Sequence, residues 1–418
     1  MKVIGGIDST MRIAYFVPYV PNLIRVRPYQ LITHLSRLGI EVTVFTVKTN
    51  KKDAEDATAL SLKCHDVILQ DQSLWHSVLN CLAAIPSNGP LQAVYSWNPK
   101  LIKNLENVKS VGELTSDFDL VHVEHLRGSM YGMKAKAMSP DLPVVWDSVD
   151  CISHLFKLTS AQSRSAFGRI VSALELKKTR RWEGMLASAF DHVTITSQID
   201  KNALLDLVPA GNKPAPVSIL PNGVDLHYFH PGKDNMREPE TLVFSGKMSY
   251  HANISMVDYL VREIMPKVWA KRPTVRLVIV GKDPPAKVKH LALNPLITVT
   301  GTVVDIRPYL WKATVAVVPL VYGAGIQNKI LEAMACKTPV VTNSKAMLAL
   351  QAGVDSKILV ADSPEEFSSE VVRLIENRRL QRDMGEAGFA YVQKEHDWNK
   401  ITKELIVIYE EVIGASRS

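Results

Sequence analysis

One continuous stretch, residues 315–342, constrains the fold of this chain more than any other. It reads VAVVPLVYGAGIQNKILEAMACKTPVVT, with a β-branched apolar run from Val315 to Leu320, a turn carrying two glycines, and a helical pattern from Gln327 to Cys336. A second β-branched run, Pro339 to Thr342, completes a strand–helix–strand unit. Such a unit is typical of a parallel sheet, so the stretch predicts a layered α/β fold.

The turn and the first helical residues of this stretch form a candidate anion site. The first backbone N–H groups of a helix have no internal partner, and Gly323 and Gly325 let a phosphate approach the backbone closely. Lys329 adds a cation one turn into the helix, and Glu332 lies on nearly the same face, where its carboxylate can accept two hydroxyl hydrogen bonds. These groups fit a nucleotide diphosphate and its ribose, although glycine turns also precede helices that bind nothing.

The letters GAGIQNKILEAMACKTPVV resemble the nucleotide-sugar loop of the family 4 retaining glycosyltransferases. That loop has a Glu, seven residues, a second Glu, then Ala-Met-Ala and a Pro-Val-Val strand. Glu332 occupies the second position, whereas Ala324 stands at the first. In the family the first carboxylate lies near the donor sugar and the second holds the ribose, so the resemblance implies nucleotide binding and an altered sugar contact. A branch involved in exopolysaccharide assembly has a similar Gly-x-Gly-Ile-x-Asn-Lys sequence.

The same resemblance implies the rest of the donor site. Lys247 follows Gly246 at the end of a predicted strand, where the family has a diphosphate-binding Arg or Lys. The family's next Lys is absent, with Ala252 near its place, so we expect Lys329 to supply that charge. Loops around the nucleobase are expected at Gly281 and Val303, with plain turns as the alternative. The expected donor-binding residues are Gly246, Lys247, Gly281, Val303, Gly325, Ile326, Gln327, Asn328, Lys329 and Glu332.

The first half of the chain predicts another doubly wound unit. It opens with a strand from Arg12 to Val17 and a helix from Arg27 to Leu38, and Ala93–Tyr95 reads as a further short strand. In the loop after the first strand, Arg25 and Arg27 would meet an anionic acceptor or the donor diphosphate, with simple exposure to solvent as the alternative.

Two later strands bring polar residues to the same sheet edge. The run FDLVHVEHL places Glu124 and His125, together with His122, at the carboxyl end of a buried strand. The resembling family often has a His there beside the transferring sugar, so Glu124 and His125, with Lys247 and Lys329, are the catalytic candidates. A hydrogen-bonded loop residue is the alternative. After the next strand, Asp150 is an acceptor-side candidate, since a carboxylate can orient a hydroxyl or cap a helix.

The domain organisation follows from the phrase PNGVD at residues 221–225, which is similar to the family's crossover between domains. We expect the B-type glycosyltransferase (GT-B) fold, with two doubly wound Rossmann-like domains facing across a cleft. Residues 1–228 would bind the acceptor and residues 229–396 the nucleotide sugar. A helix in residues 397–418 would cross back to the first domain.

Composition excludes several classes of protein. Of 418 residues, 46% are hydrophobic and 22% charged, which is an ordinary globular balance, and no apolar run approaches the roughly 18 residues of a membrane span. The start, MKVIGGIDSTMRIAYF, lacks a long apolar core, and the four cysteines are scattered, so we expect reduced thiols and a cytoplasmic protein. The histidines have no metal-site spacing, so no metal is expected.

The net charge of +7 is spread along the chain, apart from one local cluster of basic residues, Lys177, Lys178, Arg180 and Arg181. Such a cluster usually forms a solvated helix face, and a patch facing the acceptor or the inner face of a membrane is the alternative. The sequence has no nucleic-acid motif, so nucleic acid is not an expected partner.

The resemblance as a whole implies a retaining glycosyltransferase. It would move a sugar from a nucleotide-diphosphate donor, used as co-substrate without any other cofactor, to a glycan, lipid-linked or small-molecule acceptor in polysaccharide or glycoconjugate biosynthesis. Two alternatives stay open: a nucleotide-sugar 2-epimerase of the same fold, and a nucleotide-sugar-binding protein without turnover.

Overall fold

The chain folds into two compact units. The computed structural model describes residues 11–107, 118–160, 166–233, 237–322, 326–350, 353–354 and 357–417. The first unit is Met1–Leu220 with Trp398–Ser418, and the second is Pro221–Asp397. Residues 221–228, which we expected at the end of the first domain, belong to the second unit. Within that unit, the N–H of Val224 donates to the carbonyl of His396 at 2.8 Å.

The described residues of the first unit contain a seven-stranded sheet with the order β3-β2-β1-β4-β5-β6-β7, in which every pairing is parallel. Its strands are β1 (Arg12–Val17), β2 (Glu41–Lys48), β3 (Asp66–Asp71), β4 (Leu120–Glu124), β5 (Val144–Val149), β6 (His192–Ile195) and β7 (Val217–Ile219).

Helices cover both faces of this sheet, as a parallel sheet requires. They are α1 (Val26–Arg37), α2 (Lys51–Ser61), α3 (Leu74–Ala84), α4 (Leu91–Tyr95), α5 (Pro99–Asn107), α6 (His125–Met138), α7 (Ile152–Ser160), α8 (Ala166–Leu186) and α9 (Gln198–Leu205). Because successive strand residues point to opposite faces, Phe16 enters one core while Tyr15 enters the other.

The second unit repeats the plan with a six-stranded sheet among its described residues, in the order β10-β9-β8-β11-β12-β13. Its strands are β8 (Thr241–Ser245), β9 (Arg276–Val280), β10 (Ile297–Gly301), β11 (Val315–Val318), β12 (Val340–Thr342) and β13 (Leu359–Val360). Its helices are α10 (His251–Tyr259), continued by a π-helical turn (Leu260–Ile264), α11 (Met265–Lys271), α12 (Ala286–Lys289) with a 3₁₀ turn (His290–Leu293), α13 (Arg307–Lys312), α14 (Asn328–Ala335), α15 (Ser344–Met347), α16 (Pro364–Glu376) and α17 (Arg378–Glu395).

The last helix, α18 (Trp398–Arg417), packs on the first unit. Trp398 and Leu405 are buried in the same core as Tyr15 and Leu31, and Tyr409 Oη bonds to His122 Nδ1 at 2.8 Å. The apolar face of this helix therefore completes the core of the unit that contains the start of the chain.

Both sheets confirm the predicted doubly wound α/β class. In each sheet the strand order reverses next to the first strand of the unit, between β1 and β4 and between β8 and β11. Ligands of doubly wound sheets bind at the carboxyl ends of the strands that flank such a reversal. The topology thus selects the loops after β1, β4, β8 and β11 as the places to look for a site.

One predicted element is wrong. Residues 93–95 form the end of helix α4, where we expected a short strand. Ala93 is fully buried against the core of the helical layer, and three apolar residues are too few for periodicity to distinguish strand from helix.

Candidate functional site

Two glycine backbones meet at the carboxyl edge of the second sheet. Gly246 follows β8 with φ +146°, and Gly281 follows β9 with φ +150°. A Cβ added to Gly281 would lie 1.8 Å from the carbonyl oxygen of Gly246, a distance that no side chain can occupy. The two predicted donor-site glycines are therefore brought into direct contact.

Lys329 lies immediately beneath this glycine pair. A Cβ on Gly246 would lie 3.1 Å from its Nζ, which donates to Asn253 Oδ1 at 2.5 Å and sits 4.3 Å from the ring centroid of Phe244. Burial lowers the pKa of Lys329 to about 7, and Glu332 opposes that shift. The amine is thus held in place but only partly charged near neutral pH.

Glu332 belongs to the same buried group. It lies on α14, one turn after Lys329, and its side chain is half-buried. Burial raises the pKa of Glu332 to about 7, and Lys329 opposes the shift. The amine of Lys329 and the carboxyl group of Glu332, each with a pKa of about 7, are therefore adjacent at the start of α14.

The start of α14 lacks a side-chain cap. Gln327 is the N-cap residue, and its side chain makes no capping bond to the helix. The Oδ1 atom of Asn328 is buried without a hydrogen-bond partner, and Ile326 is buried. Buried polar atoms are normally paired, so Asn328 is a candidate ligand-binding residue. Gly325 and Ala324 lie outside the described residues.

The other two predicted donor-site residues are peripheral to this group. Lys247 is exposed, and its backbone carbonyl accepts a bond from Asn253 Nδ2 at 2.9 Å. Val303 is half-buried and packs against the domain core. Asn253 thus links the loop of Lys247 to the amine of Lys329.

The carboxyl edge of the first sheet carries backbone strain. His125 directly after β4 has φ 63°, and Val149 at the end of the neighbouring β5 has φ 64°. Positive φ is costly for a β-branched residue and uncommon for any residue but glycine. Strain of this kind concentrates where a backbone is held for binding or catalysis.

Glu124, the last residue of β4, is almost fully buried beneath two tyrosines. Its carboxylate accepts bonds from Tyr15 Oη at 3.2 Å and Tyr19 Oη at 3.0 Å. Burial and the charge of Asp147 raise the pKa of Glu124 to about 8, while Arg27 opposes the shift. The neighbouring His125 has its pKa lowered to about 4 by burial, so its imidazole is neutral at pH 7.

Two predicted residues differ from the sequence expectation. Arg27 lies in α1, with only 6% exposure, and binds Asp147 with both ends of its guanidinium, Nε to Oδ2 at 2.7 Å and Nη2 to Oδ1 at 3.1 Å. Its charge is neutralised inside the fold, which corrects the expectation of a cation in a loop. His122 is enclosed under Tyr15 rather than at the sheet edge, with ring centroids 4.1 Å apart.

The other two acceptor-side residues stay near the edge. Arg25 is partly exposed, donates to the carbonyl of Val20 at 3.1 Å and lies over the ring of Tyr19. Asp150 accepts a bond from Thr196 Oγ1 at 3.3 Å, and burial, with the charge of Asp200, raises its pKa to about 7.

The sequence analysis missed Tyr15, Tyr19 and Asn253. Tyr15 and Tyr19 lie in and after the first strand, and no motif marks them as partners of Glu124. Asn253 directly follows Ala252, which stands near the place of the family's further lysine. Alignment of the chain to that lysine position could have identified Asn253.

Glu124→Gln is expected to flatten the pH dependence of stability. The pKa of Glu124 is raised from its usual 4.5 to about 8, so the folded state binds more protons than the unfolded state between these values. Stability therefore falls as pH rises through this window, by up to about 1.4 kcal/mol per pH unit. Urea unfolding at pH 5 and pH 8 measures the slope. Glu55→Gln, on the exposed face of α2, is the control and should leave it unchanged.

Among the described residues, no group of three or more His, Cys, Asp or Glu side chains could hold a metal ion. None of the described helices is long and apolar enough to span a membrane.

Two family models match this chain. The model described as Glycosyltransferase Family 4 matches residues 25–228, and the model described as Glycosyl transferases group 1 matches residues 239–377. The boundary between the matched regions, residues 228–239, lies close to the division into two units after Leu220. The fold and site define a two-domain α/β protein of the GT-B type. The chain belongs to the group 1 and family 4 glycosyltransferases.

Individual relatives are distant. An uncharacterised glycosyltransferase of Methanocaldococcus jannaschii is 29% identical over 94 residues, 22% of this chain and 24% of that protein. The D-inositol 3-phosphate glycosyltransferase of Segniliparus rotundus is 22% identical over 251 residues, 55% of this chain and 54% of that protein. This chain thus matches between a quarter and about half of the length of these curated relatives.

Among solved structures, the crystal structure of Anabaena HepE in complex with UDP is similar in fold. Its TM-score is 0.65 at 14% identity, with 96% of this chain and 100% of that chain covered. The same protein has also been crystallised with UDP-glucose.

Proposed function

We propose that this chain is a retaining glycosyltransferase that moves a sugar from a nucleotide-diphosphate donor to a hydroxyl acceptor. The observation that carries the proposal is the group at the β8–β11 reversal: two touching glycine backbones, the amine of Lys329 beneath them, and Glu332 one turn later on α14. The complexes of Anabaena HepE with UDP and UDP-glucose support the donor class.

Each part of the group has a chemical task. Backbone N–H groups at the start of α14 bind the diphosphate, which gains about 0.3–2 kcal/mol from the helix dipole. Lys247 and Lys329 neutralise charge on the departing diphosphate, so this step requires no metal ion. Glu332 accepts hydrogen bonds from the ribose hydroxyls, each contributing about 1.5–3 kcal/mol when the carboxylate is ionised.

In the reaction, the bond between the anomeric carbon and the phosphate oxygen breaks through an oxocarbenium-like state. A bond from the acceptor oxygen to the same carbon forms on the same face, which retains the configuration, and the acceptor hydroxyl proton passes to the departing diphosphate oxygen. Glu124 and His125 lie at the strained edge of the first sheet and serve the sugar and acceptor side. Acceptors of the proposed enzyme are glycans, lipid-linked sugars or small molecules, in polysaccharide or glycoconjugate biosynthesis in the cytoplasm or at the inner face of a membrane.

The test is transfer from radiolabelled nucleotide sugars onto lipid and glycan acceptors, compared with binding of the same nucleotides by thermal shift. Labelled product that requires both donor and acceptor supports the proposal. Tight donor binding with no product identifies a binding protein without turnover, and a 2-epimer formed without acceptor identifies an epimerase.

Glu332→Ala is expected to weaken nucleoside diphosphate binding about tenfold or more, the loss of at least one hydrogen bond to a charged group. Wild-type affinity for the free nucleoside, which has no diphosphate for Lys329 to bind, should also fall below about pH 7, since the pKa of Glu332 is raised to about 7 and the protonated form accepts ribose bonds poorly. Calorimetry measures both effects. Glu386→Ala, on α17 and paired with Lys337, is the control. Unchanged affinity in Glu332→Ala would remove the ribose role.

A further inference from the structure

Helix α3 exposes its apolar side and turns its polar side inward. Its sequence, LWHSVLNCLAA, contains no Asp, Glu, Lys or Arg. All of its large apolar side chains are exposed: Leu74 67%, Trp75 77%, Val78 44%, Leu79 58% and Leu82 55%. Ile85, directly after the helix, is 60% exposed. A helix of a soluble domain normally shows the reverse arrangement.

The inward side of α3 explains why this arrangement is fixed. Ser77 accepts a bond from Gln72 Nε2 at 3.2 Å, and Asn80 Nδ2 donates to the carbonyl of Trp97 at 2.8 Å. Ala84 is buried. These positions recur at helical spacing on one face, so their bonds orient the opposite, apolar face toward solvent. Rotation of the helix to hide that face would break these bonds.

The basic cluster lies at the carboxyl end of the same helix. Lys178 Nζ donates to the carbonyls of Ala84 at 3.1 Å and Ile85 at 2.8 Å, which joins α8 to the end of α3. Lys177, Arg180 and Arg181 on α8 are exposed. One nearby acid, Glu175, is occupied, because it accepts the N–H of Leu91 at 2.6 Å. Lys178 thus brings the basic turn of α8 to the carboxyl end of the apolar face.

We infer that α3 and the basic cluster of α8 form a docking surface for an anionic lipid bilayer. An apolar helix face with Trp, which has Lys and Arg at its carboxyl end, matches an interfacial helix, in which apolar side chains enter the acyl boundary and cations meet anionic headgroups. A second copy of this chain fits less well, because an isologous contact would bring the two basic clusters toward each other. The proposed function includes action at the inner face of a membrane, and this inference assigns that contact to α3 and α8. To that extent the inference rests on the proposed function.

The experiment is co-sedimentation of the full chain with neutral phosphatidylcholine vesicles and with vesicles that also contain phosphatidylglycerol. We expect binding to the anionic vesicles, weakened by added salt because the surface charges are screened. Trp75→Ser/Leu79→Ser and Arg180→Glu/Arg181→Glu should each lower vesicle affinity at least tenfold. All four side chains are exposed, so the fold should survive, and circular dichroism checks this.

Matched controls come from the second unit. Leu293→Ser removes an apolar side chain that is 82% exposed, and Arg379→Glu/Arg382→Glu reverses two adjacent exposed charges on α17. Both should bind vesicles as the wild type does. Wild-type affinity in the α3 and α8 variants would overturn the inference, as would a change from dimer to monomer in Trp75→Ser/Leu79→Ser with unaltered vesicle binding.

The test of vesicle binding gives a result that does not depend on the test of sugar transfer. Vesicle binding is measured without donor or acceptor, so an absence of sugar transfer leaves its result intact. Conversely, absence of vesicle binding leaves transfer to a water-soluble acceptor untouched, and the α3 and α8 variants should retain that activity.

Discussion

Arg27→Ala is expected to lower the free energy of unfolding by about 3–5 kcal/mol, the usual result of removing one member of a buried ion pair. Asp147 is fully buried and takes two bonds from the Arg27 guanidinium, at 2.7 and 3.1 Å. Without Arg27, that carboxylate loses its cation and two donors and keeps the bond from the Val149 N–H. Glu124 loses the nearby positive charge that lowers its pKa, so it should stay protonated to higher pH in the variant.

Denaturant unfolding of wild type and variant measures this difference. Arg25→Ala is the matched control, since Arg25 is 37% exposed and lies 3.7 Å from Asp53, so its loss should cost less than about 1 kcal/mol. Arg27→Met combined with Asp147→Leu should cost less than the sum of the single changes, because the double variant leaves no unpaired charge. A loss below about 1 kcal/mol in Arg27→Ala would contradict the assignment of a buried pair.

The secondary structure was largely predictable because it depends on local patterns. Strand β1 has the bounds that its apolar run predicts, and α14 lies within the predicted helix. Turn glycines and β-branched runs act over a few residues, so a single sequence records them. The error at residues 93–95 occurred where the run was too short to carry a period.

The contacts within the candidate site were less predictable, because their partners are far apart in the chain. Arg27 and Asp147 are separated by 120 positions, and Lys329 and Asn253 by 76. A sequence pattern indicates that a charged residue follows a strand. It does not indicate which side chain from a distant part of the chain contacts that residue. The family motif located Lys329 and Glu332, and the tertiary fold determined their burial.

That burial changes how Lys329 is expected to act on a nucleotide. Its pKa is lowered to about 7, so near neutral pH a fraction of the amine is uncharged before ligand binds. A bound diphosphate adds negative charge nearby and raises the pKa of Lys329, so binding a nucleoside diphosphate should take up more protons than binding the free nucleoside. Calorimetry in buffers of different ionisation enthalpy would detect that extra uptake, and Lys329→Met should bind without it.

Lys329→Ala is therefore expected to slow sugar transfer by about 10²–10³-fold, the usual cost of removing one preorganised stabiliser of a developing charge. Binding of the free nucleoside, which has no diphosphate, should change much less. Lys329→Met keeps the packing against Phe244 and separates loss of charge from loss of volume, and Lys337→Ala, past the other end of α14, is the matched control. Equal effects on transfer and on nucleoside binding would show that Lys329 supports the fold of the site without contacting the diphosphate.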